Sequence, residues 1–253
     1  MSMSSMKEEF KPIPVRRSPG LVGDILFHIR MMVDLQLLTC MRFLKPHLTR
    51  FTGKVLDVGC GEMPFRSMLG KDAIYTGIDV AGAQEFGMQT HPDIVAFDGV
   101  LIPFPDATFD HIMCTEVLEH VESPHVLVEE MRRVLRIGGT IVVTVPFAAR
   151  VHHAPYDFQR LTCFALRNLF SAFEGVVVVE RGDDFAVVAN KLIAIAVRLL
   201  SPKPIFSWLW RLPIFLLLAP FLSFALCMAH LSLLFGWGSR TDPLGYAIYA
   251  VKS

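Results

Sequence analysis

Apolar positions in this chain fall into two rhythms. Between residues 54 and 147 come five short runs rich in β-branched and apolar residues: KVLDV, AIYTGIDV, DIVAF, FDHIMCT and TIVVTVPF. Bounded by glycine, proline or acidic residues, such runs read as buried strands. Before the fifth, HVLVEEMRRVLR repeats at helical period, with Leu127, Met131, Val134 and Leu135 on one face. Ser123 stands where a helix N-cap belongs, Pro124 at the first helical position, and Gly138-Gly139 at the expected end. Strands alternating with helices predict a parallel sheet covered on both faces. GVVVVERGDDF adds a sixth strand and GYAIYAVKS a seventh. The predicted fold is therefore α/β, a doubly wound, mostly parallel seven-stranded sheet with a hydrophobic helical insertion before its last strand.

The second rhythm is helical. Residues 21–48 are amphipathic and predict one or two helices covering the sheet or a ligand. Residues 1–20 are polar, carry Pro12, Pro14 and Pro19, and read as a flexible tail with no apolar core of the secretory kind. Residues 186–240 form the apolar insertion, within which Leu212–Phe235 runs 24 residues without a formal charge. At ~1.5 Å per residue, such a helix matches a bilayer core of ~30 Å. Trp208, Trp210 and Arg211 just before it suit a membrane interface. A seventh strand must return to the side of the other six, so a single crossing would strand it. The expectation is a hairpin broken near Pro213 or Pro220, or a helix lying in the interface. Residues 21–185 with 241–253 then form the α/β domain, and 186–240 a membrane-associating insertion. A true span and a soluble dimer or lipid-binding cap stay open as alternatives.

Composition narrows the partners. Lys+Arg and Asp+Glu number 24 each, so no basic excess points to nucleic acid. The 53% hydrophobic content and mean hydropathy of +0.46 exceed the ~45–50% usual for soluble domains. Cys40, Cys60, Cys114, Cys163 and Cys227 are scattered and unpaired in sequence, which argues against disulfides and zinc, predicts no metal, and fits a reducing compartment.

In an open parallel sheet the ligand sits beyond the carboxyl ends of the strands. Here the first such end is Asp57-Val58-Gly59-Cys60-Gly61, and Asp79 closes the second strand, where a carboxylate can accept ribose hydroxyls. A nicotinamide site competes, but the third glycine of G-x-G-x-x-G is replaced by Pro64. Together, VLDVGCG, GIDV, FDGVLIPFPDATFD, TEVLEHV and LRIGGTIVVTVPF, in order over about residues 50–150, resemble the motifs of class I S-adenosylmethionine (SAM)-dependent methyltransferases of the type 11 kind. The resemblance implies that Asp57, Gly59 and Gly61 wrap the methionine part of SAM. It implies Asp79 for the ribose, Asp98 for the adenine amino group, and Glu116 for the methionine end.

Methyl transfer from a sulfonium needs positioning, and a base when the nucleophile carries a proton. Candidates are His120 and the loop after the fifth strand, which holds His152, His153, Tyr156, Asp157 and Arg160. That loop is similar to an H-x-x-P-Y-D-F-x-R-x-T signature in a methyltransferase subgroup linked to glycan or envelope biosynthesis. The likeness implies substrate-side roles for His152, Tyr156, Asp157 and Arg160, while Asp157 and Arg160 also read as a local salt bridge. His153 stands where that signature commonly has an acid. The leading expectation is O-methylation of a small amphiphilic or lipid-linked acceptor, at the cytoplasmic face of a membrane. An inactive scaffold in a membrane assembly, or an NAD(P)-dependent reductase, are the alternatives.

Overall fold

The structure is a computed structural model that describes residues 13–15, 20–82, 91–201 and 204–253. The predicted tail therefore lies almost wholly outside the described residues. Its described piece, Ile13-Pro14-Val15, is tied to the body, since Arg30 donates to the Ile13 and Pro14 carbonyls at 2.8 Å each.

Seven strands form one sheet: β1 (Gly53–Val58), β2 (Ala73–Val80), β3 (Ile94–Phe97), β4 (Phe109–Thr115), β5 (Leu135–Pro146), β6 (Glu174–Arg181) and β7 (Gly245–Val251). Their order is β3-β2-β1-β4-β5-β7-β6, with β7 antiparallel to both neighbours and β1 to β5 paired in parallel. The order of successive strands reverses between β1 and β4, which is where such a sheet opens a crevice at its carboxyl edge. Alternation within the apolar runs sorts the two faces. Ile112, Cys114, Ile141 and Val143 pack with Leu127 and Met131 of α3 (Pro124–Val134) and Leu166 of α4 (Cys163–Leu169). Met113, Val142 and Val55 point the other way, onto Leu44 and Leu48 of α2 (Leu35–Leu48).

Three sequence expectations change. First, residues 21–48 do not act as one cover. Asp34 separates the helices and caps α2 by accepting from the Leu37 N–H, and α2 does the covering. The preceding helix α1 (Leu21–Val33) buries only Gly23 and Phe27 and leaves Leu21, Val22, Leu26 and Met32 60–77% exposed. Second, Gly138-Gly139 do not cap α3. The chain turns extended at Leu135, and β5 starts there. The pairing jumps from Phe109–Leu135 to His111–Thr140, so the glycines form a bulge in the strand. A Cβ on Gly139 would lie 2.7 Å from the Leu135 side chain and 2.9 Å from the Asp110 carbonyl. Ser123 occupies the N-cap position without a side-chain cap.

Third, the apolar insertion turns back earlier than expected. It forms α5 (Asp184–Leu200) and α6 (Trp208–Phe235), and Pro213 and Pro220 lie inside a continuous α6. Reversal occurs between α5 and α6, where Pro204 precedes a single 3-10 turn and Arg211 donates to the Ser201 carbonyl at 2.9 Å. Each helical proline removes one backbone donor, which a long helix can absorb with a bend. The far end of α6 comes back to the start of α5: the buried Ser232 hydroxyl donates to Asp183 at 2.6 Å, and Asp183 also caps α5 through the Ala186 N–H. Because β6 runs parallel to β5, the hairpin leaves and re-enters the sheet at its carboxyl edge.

Candidate functional site

That edge carries the glycine turn. Gly59 and Gly61 have φ of 69° and 50°, in the left-handed region that glycine tolerates. Any side chain at Gly59 would also collide with Val117, whose Cγ2 lies 2.4 Å from an added Cβ. The turn is locked to β2: the Gly59 and Cys60 N–H groups donate to the Ile78 carbonyl at 2.9 and 3.0 Å, and the Gly61 N–H donates to the Asp79 carboxylate at 2.7 Å. Asp79 also accepts from the Val80 N–H at 2.7 Å. Burial raises its pKa, and these two N–H groups work against the rise.

Asp57 sits beneath the turn and is 1% exposed. One carboxylate oxygen accepts from the Tyr75 hydroxyl at 2.8 Å, and the other, Oδ1, is buried without a partner. Burial pushes this carboxyl up to about 7, against the Tyr75 hydrogen bond. Asp98 follows Phe97, which pairs with Val80, so it lies at the same edge one strand over. Its Oδ1 accepts from the Leu101 and Val100 N–H groups at 2.7 and 2.8 Å, which hold it below the usual carboxylate range.

Glu116 directly follows β4 with φ of 55°, a conformation a non-glycine residue seldom adopts. Its carboxylate takes a 2.7 Å ion pair from Arg181 of β6. Arg181 is 2% exposed and also donates to the Val145 and Tyr246 carbonyls and to Cys40. Its place in the run VVVVERG gives no hint of this role, since its partners come from α2, β4, β5 and β7.

A 3-10 turn at Leu118–His120 follows, and the loop after β5 folds onto it. The Phe158 N–H donates to the Glu119 carbonyl at 2.8 Å, and the Gln159 amide donates to the Val121 carbonyl at 2.8 Å. His120 Nδ1 lies 2.6 Å from the Tyr156 carbonyl, and His152 Nδ1 lies 3.1 Å from the Arg150 carbonyl. A carbonyl only accepts, so both Nδ1 atoms carry hydrogen and both Nε2 atoms present lone pairs. Burial, aided by His120, pushes the His152 pKa down to about 4; burial lowers that of His120 as well. The rings of His120, His152 and His153 lie 4.7–5.3 Å apart. Arg160 grips Asp157 with two bonds of 2.5 and 2.7 Å, and the His152 N–H donates to the same carboxylate at 2.9 Å. Burial works to raise Asp157, but these donors win and hold it low. Asp157 and Arg160 thus form the local ion pair that braces the loop. The Tyr156 residue is 46% exposed.

Glu119 completes this patch. It is 2% exposed, neither carboxylate oxygen makes a hydrogen bond, and burial raises its pKa well above normal. It stood inside the TEVLEHV run without a role, because only the fold reveals that its side chain turns inward. The two halves of the site are joined through residues 116–120, with Val117 against the glycine turn. A cavity of about 290 Å³ lies further along the same edge, beneath the hairpin, lined by Arg42, Arg181, Asp183, Ser232 and Arg240 among others.

Residues 56–143 match a methyltransferase-domain family. Curated relatives include a ubiquinone biosynthesis O-methyltransferase of Glaesserella parasuis, 34% identical over 107 residues (37% of this chain, 45% of the relative). A phosphatidylethanolamine N-methyltransferase of Cereibacter sphaeroides is 30% identical over 111 residues (40% and 55%). The chain thus spans about half the length of these relatives. A SAM-dependent methyltransferase from Archaeoglobus fulgidus shares the fold, with a TM-score of 0.52 at 17% identity over 90% of this chain and 99% of that one. The [4+2]-cyclase SpnF shares it too, with a TM-score of 0.51 at 22% identity over 86% and 82%. The fold alone therefore does not fix the reaction.

Proposed function

We propose that this chain, which carries a class I SAM-dependent methyltransferase domain, transfers a methyl group to an amphiphilic or lipid-linked acceptor, through oxygen, at a membrane surface. When bound, SAM supplies a methyl group already activated on a sulfonium. The residues present fit that cofactor. The unpartnered buried oxygen of Asp57 suits an amino-acid ammonium, and the glycine turn presents backbone without side chains at the sheet edge. On this reading Asp79 accepts the ribose hydroxyls, Asp98 the adenine amino group, and Glu116 lines the methionine end. The histidine patch receives the acceptor, offering neutral imidazoles on a loop that Asp157 and Arg160 hold in shape.

One observation carries the membrane part of this reading. A hairpin whose long arm buries only Arg211, Ala229 and Ser232 leaves the sheet at the edge that bears the cofactor residues. In water, an apolar face of this size is a liability unless something covers it. α5 has 17 residues, roughly 26 Å of helix, too short to cross a core of ~30 Å. With both ends of the hairpin anchored at the sheet, a re-entrant insertion follows, and residues 186–240 act as the membrane-associating segment. The two named relatives act on lipid-type molecules by their names, which agrees with such an acceptor.

The test is calorimetry with SAM, its demethylated product and NADH, followed by mass spectrometry of lipid extracts treated with enzyme and SAM. SAM binding and a one-methyl mass shift in a lipid fraction are expected. NADH binding in place of SAM would move the chain among reductases. SAM binding without any methylated lipid or lipid-linked product would remove the acceptor class.

A further inference from the structure

We infer that Glu119, His120 and His152 hold a divalent first-row transition-metal ion. This goes beyond the reading above and is tested without acceptor or methyl transfer, so either can fail alone.

Two imidazole nitrogens converge on a buried carboxyl group that makes no hydrogen bond among the described residues. His120 Nε2 lies 3.6 Å and His152 Nε2 3.8 Å from Glu119 Oε1. One ligand atom from each residue lies within 4.8 Å of the other two. Both Nδ1 atoms are spent on backbone carbonyls, so the two imidazoles aim lone pairs at a buried carboxylate whose oxygens make no hydrogen bond. Burying a carboxyl oxygen unpaired costs on the order of 1–3 kcal/mol, and a cation between Glu119 and the two imidazoles removes that cost for the buried Glu119 oxygens.

The distances suit such an ion. Two ligands ~2.1 Å from a tetrahedral zinc are roughly 3.4 Å apart, so each histidine needs to approach Glu119 by only a few tenths of an ångström. Ligating histidines usually donate their second nitrogen to a carbonyl or carboxylate, which fixes the ring, and both do so here. Asp157 adds a further brace by holding the His152 backbone N–H. Two imidazoles and one carboxylate favour zinc, iron(II), cobalt or nickel over magnesium or calcium, and leave at least one position open for an oxygen ligand. Cysteine spacing could not signal this site, because none of its ligands is a cysteine and they come from two separate segments.

The experiment uses the full chain with no affinity tag, stripped with chelator and titrated with zinc by calorimetry and with cobalt(II) by visible absorption. Wild type is expected to bind one ion per chain, with cobalt bands of low coordination number. Glu119→Gln and His152→Ala should each weaken zinc binding by at least ~100-fold, beyond the 10–100-fold typical for lost outer partners. Glutamine mimics a protonated glutamic acid, so Glu119→Gln should keep the melting temperature of the metal-free protein. His153→Ala, whose ring is adjacent but outside the triad, should bind zinc as wild type does. No binding by the wild type, equal binding by folded Glu119→Gln or His152→Ala, or an equal loss in His153→Ala would overturn the assignment. If Glu119→Gln does not fold, His152→Ala and His153→Ala decide.

Discussion

Asp57 is the residue where electrostatics and ligand binding pull in opposite directions. Its ordinary pKa of 3.8 is raised to about 7 by burial, so the folded chain holds a proton that the unfolded chain has lost. Between those values the native state binds more protons, and stability falls as pH rises through 7. Asp57→Asn removes this ionisation. Metal-free, cofactor-free protein carrying it should melt higher than wild type at pH 8, by an amount on the order of a few kcal/mol, with the gap closing towards pH 4. The same change should weaken SAM by at least tenfold, since a neutral amide replaces the charge that the ammonium pairs with. Thermal melts across pH and calorimetry read both, and a pH-independent gap would show that Asp57 is charged in the fold. His152 is expected to behave differently, because the proposed reading puts it on the acceptor side. His152→Ala should cut turnover by ~10²-fold or more while SAM affinity stays within twofold. Unchanged turnover would remove His152 from the chemistry.

At the level of elements, the strands were legible because each is a short apolar run buried on one or both faces, and the glycine turn because its φ values admit little else. The helix boundaries were less so. A glycine pair reads as a helix stop, yet here it makes a bulge, since what demands glycine at 139 is the approach of the Asp110 carbonyl from β4. Likewise the prolines of α6 looked like break points, but the turn formed where Pro204 and Arg211 close it. Arg181 was hidden for a stronger reason: its six or so polar partners come from four other elements. A buried arginine that pairs Glu116 and holds the Val145 and Tyr246 carbonyls couples β4, β5, β6 and β7. Arg181→Met should therefore cost roughly 3 kcal/mol, the low end of what breaking a buried pair costs, because Glu116 keeps partial access to water. Chemical denaturation measures it. A loss below ~1 kcal/mol would mean that methionine packing replaces the pair, as it does in some proteins.

For the whole molecule, the question is why an apolar hairpin is attached to this edge of the sheet. Its outer surface includes Phe206 at 80% exposure, Leu209 at 77%, Leu217 at 72% and Phe221 at 68%, while its root is fixed by the buried Asp183–Ser232 bond. The root is rigid and polar, and the tip apolar. α1 adds a second apolar face and touches α6 where His230 meets the Met32 carbonyl at 2.8 Å. Composition alone announced the excess of apolar residues, but length and hydropathy cannot distinguish a span from a dip; the anchoring of both hairpin ends at one sheet edge argues against a single crossing. If the hairpin inserts into lipid, charge at its middle is expensive, about 2.5–3.5 kcal/mol per acidic residue at the centre of an inserted helix. Leu217→Asp with Phe221→Asp should then abolish flotation with phospholipid vesicles. SAM affinity should not change, because both side chains are far exposed and the root is untouched. Vesicle binding that survives the double substitution would place the membrane contact elsewhere, with the α1 face next in line. Lost SAM binding would instead mean that the hairpin supports the sheet edge directly, since both arms and the glycine turn lie along that edge.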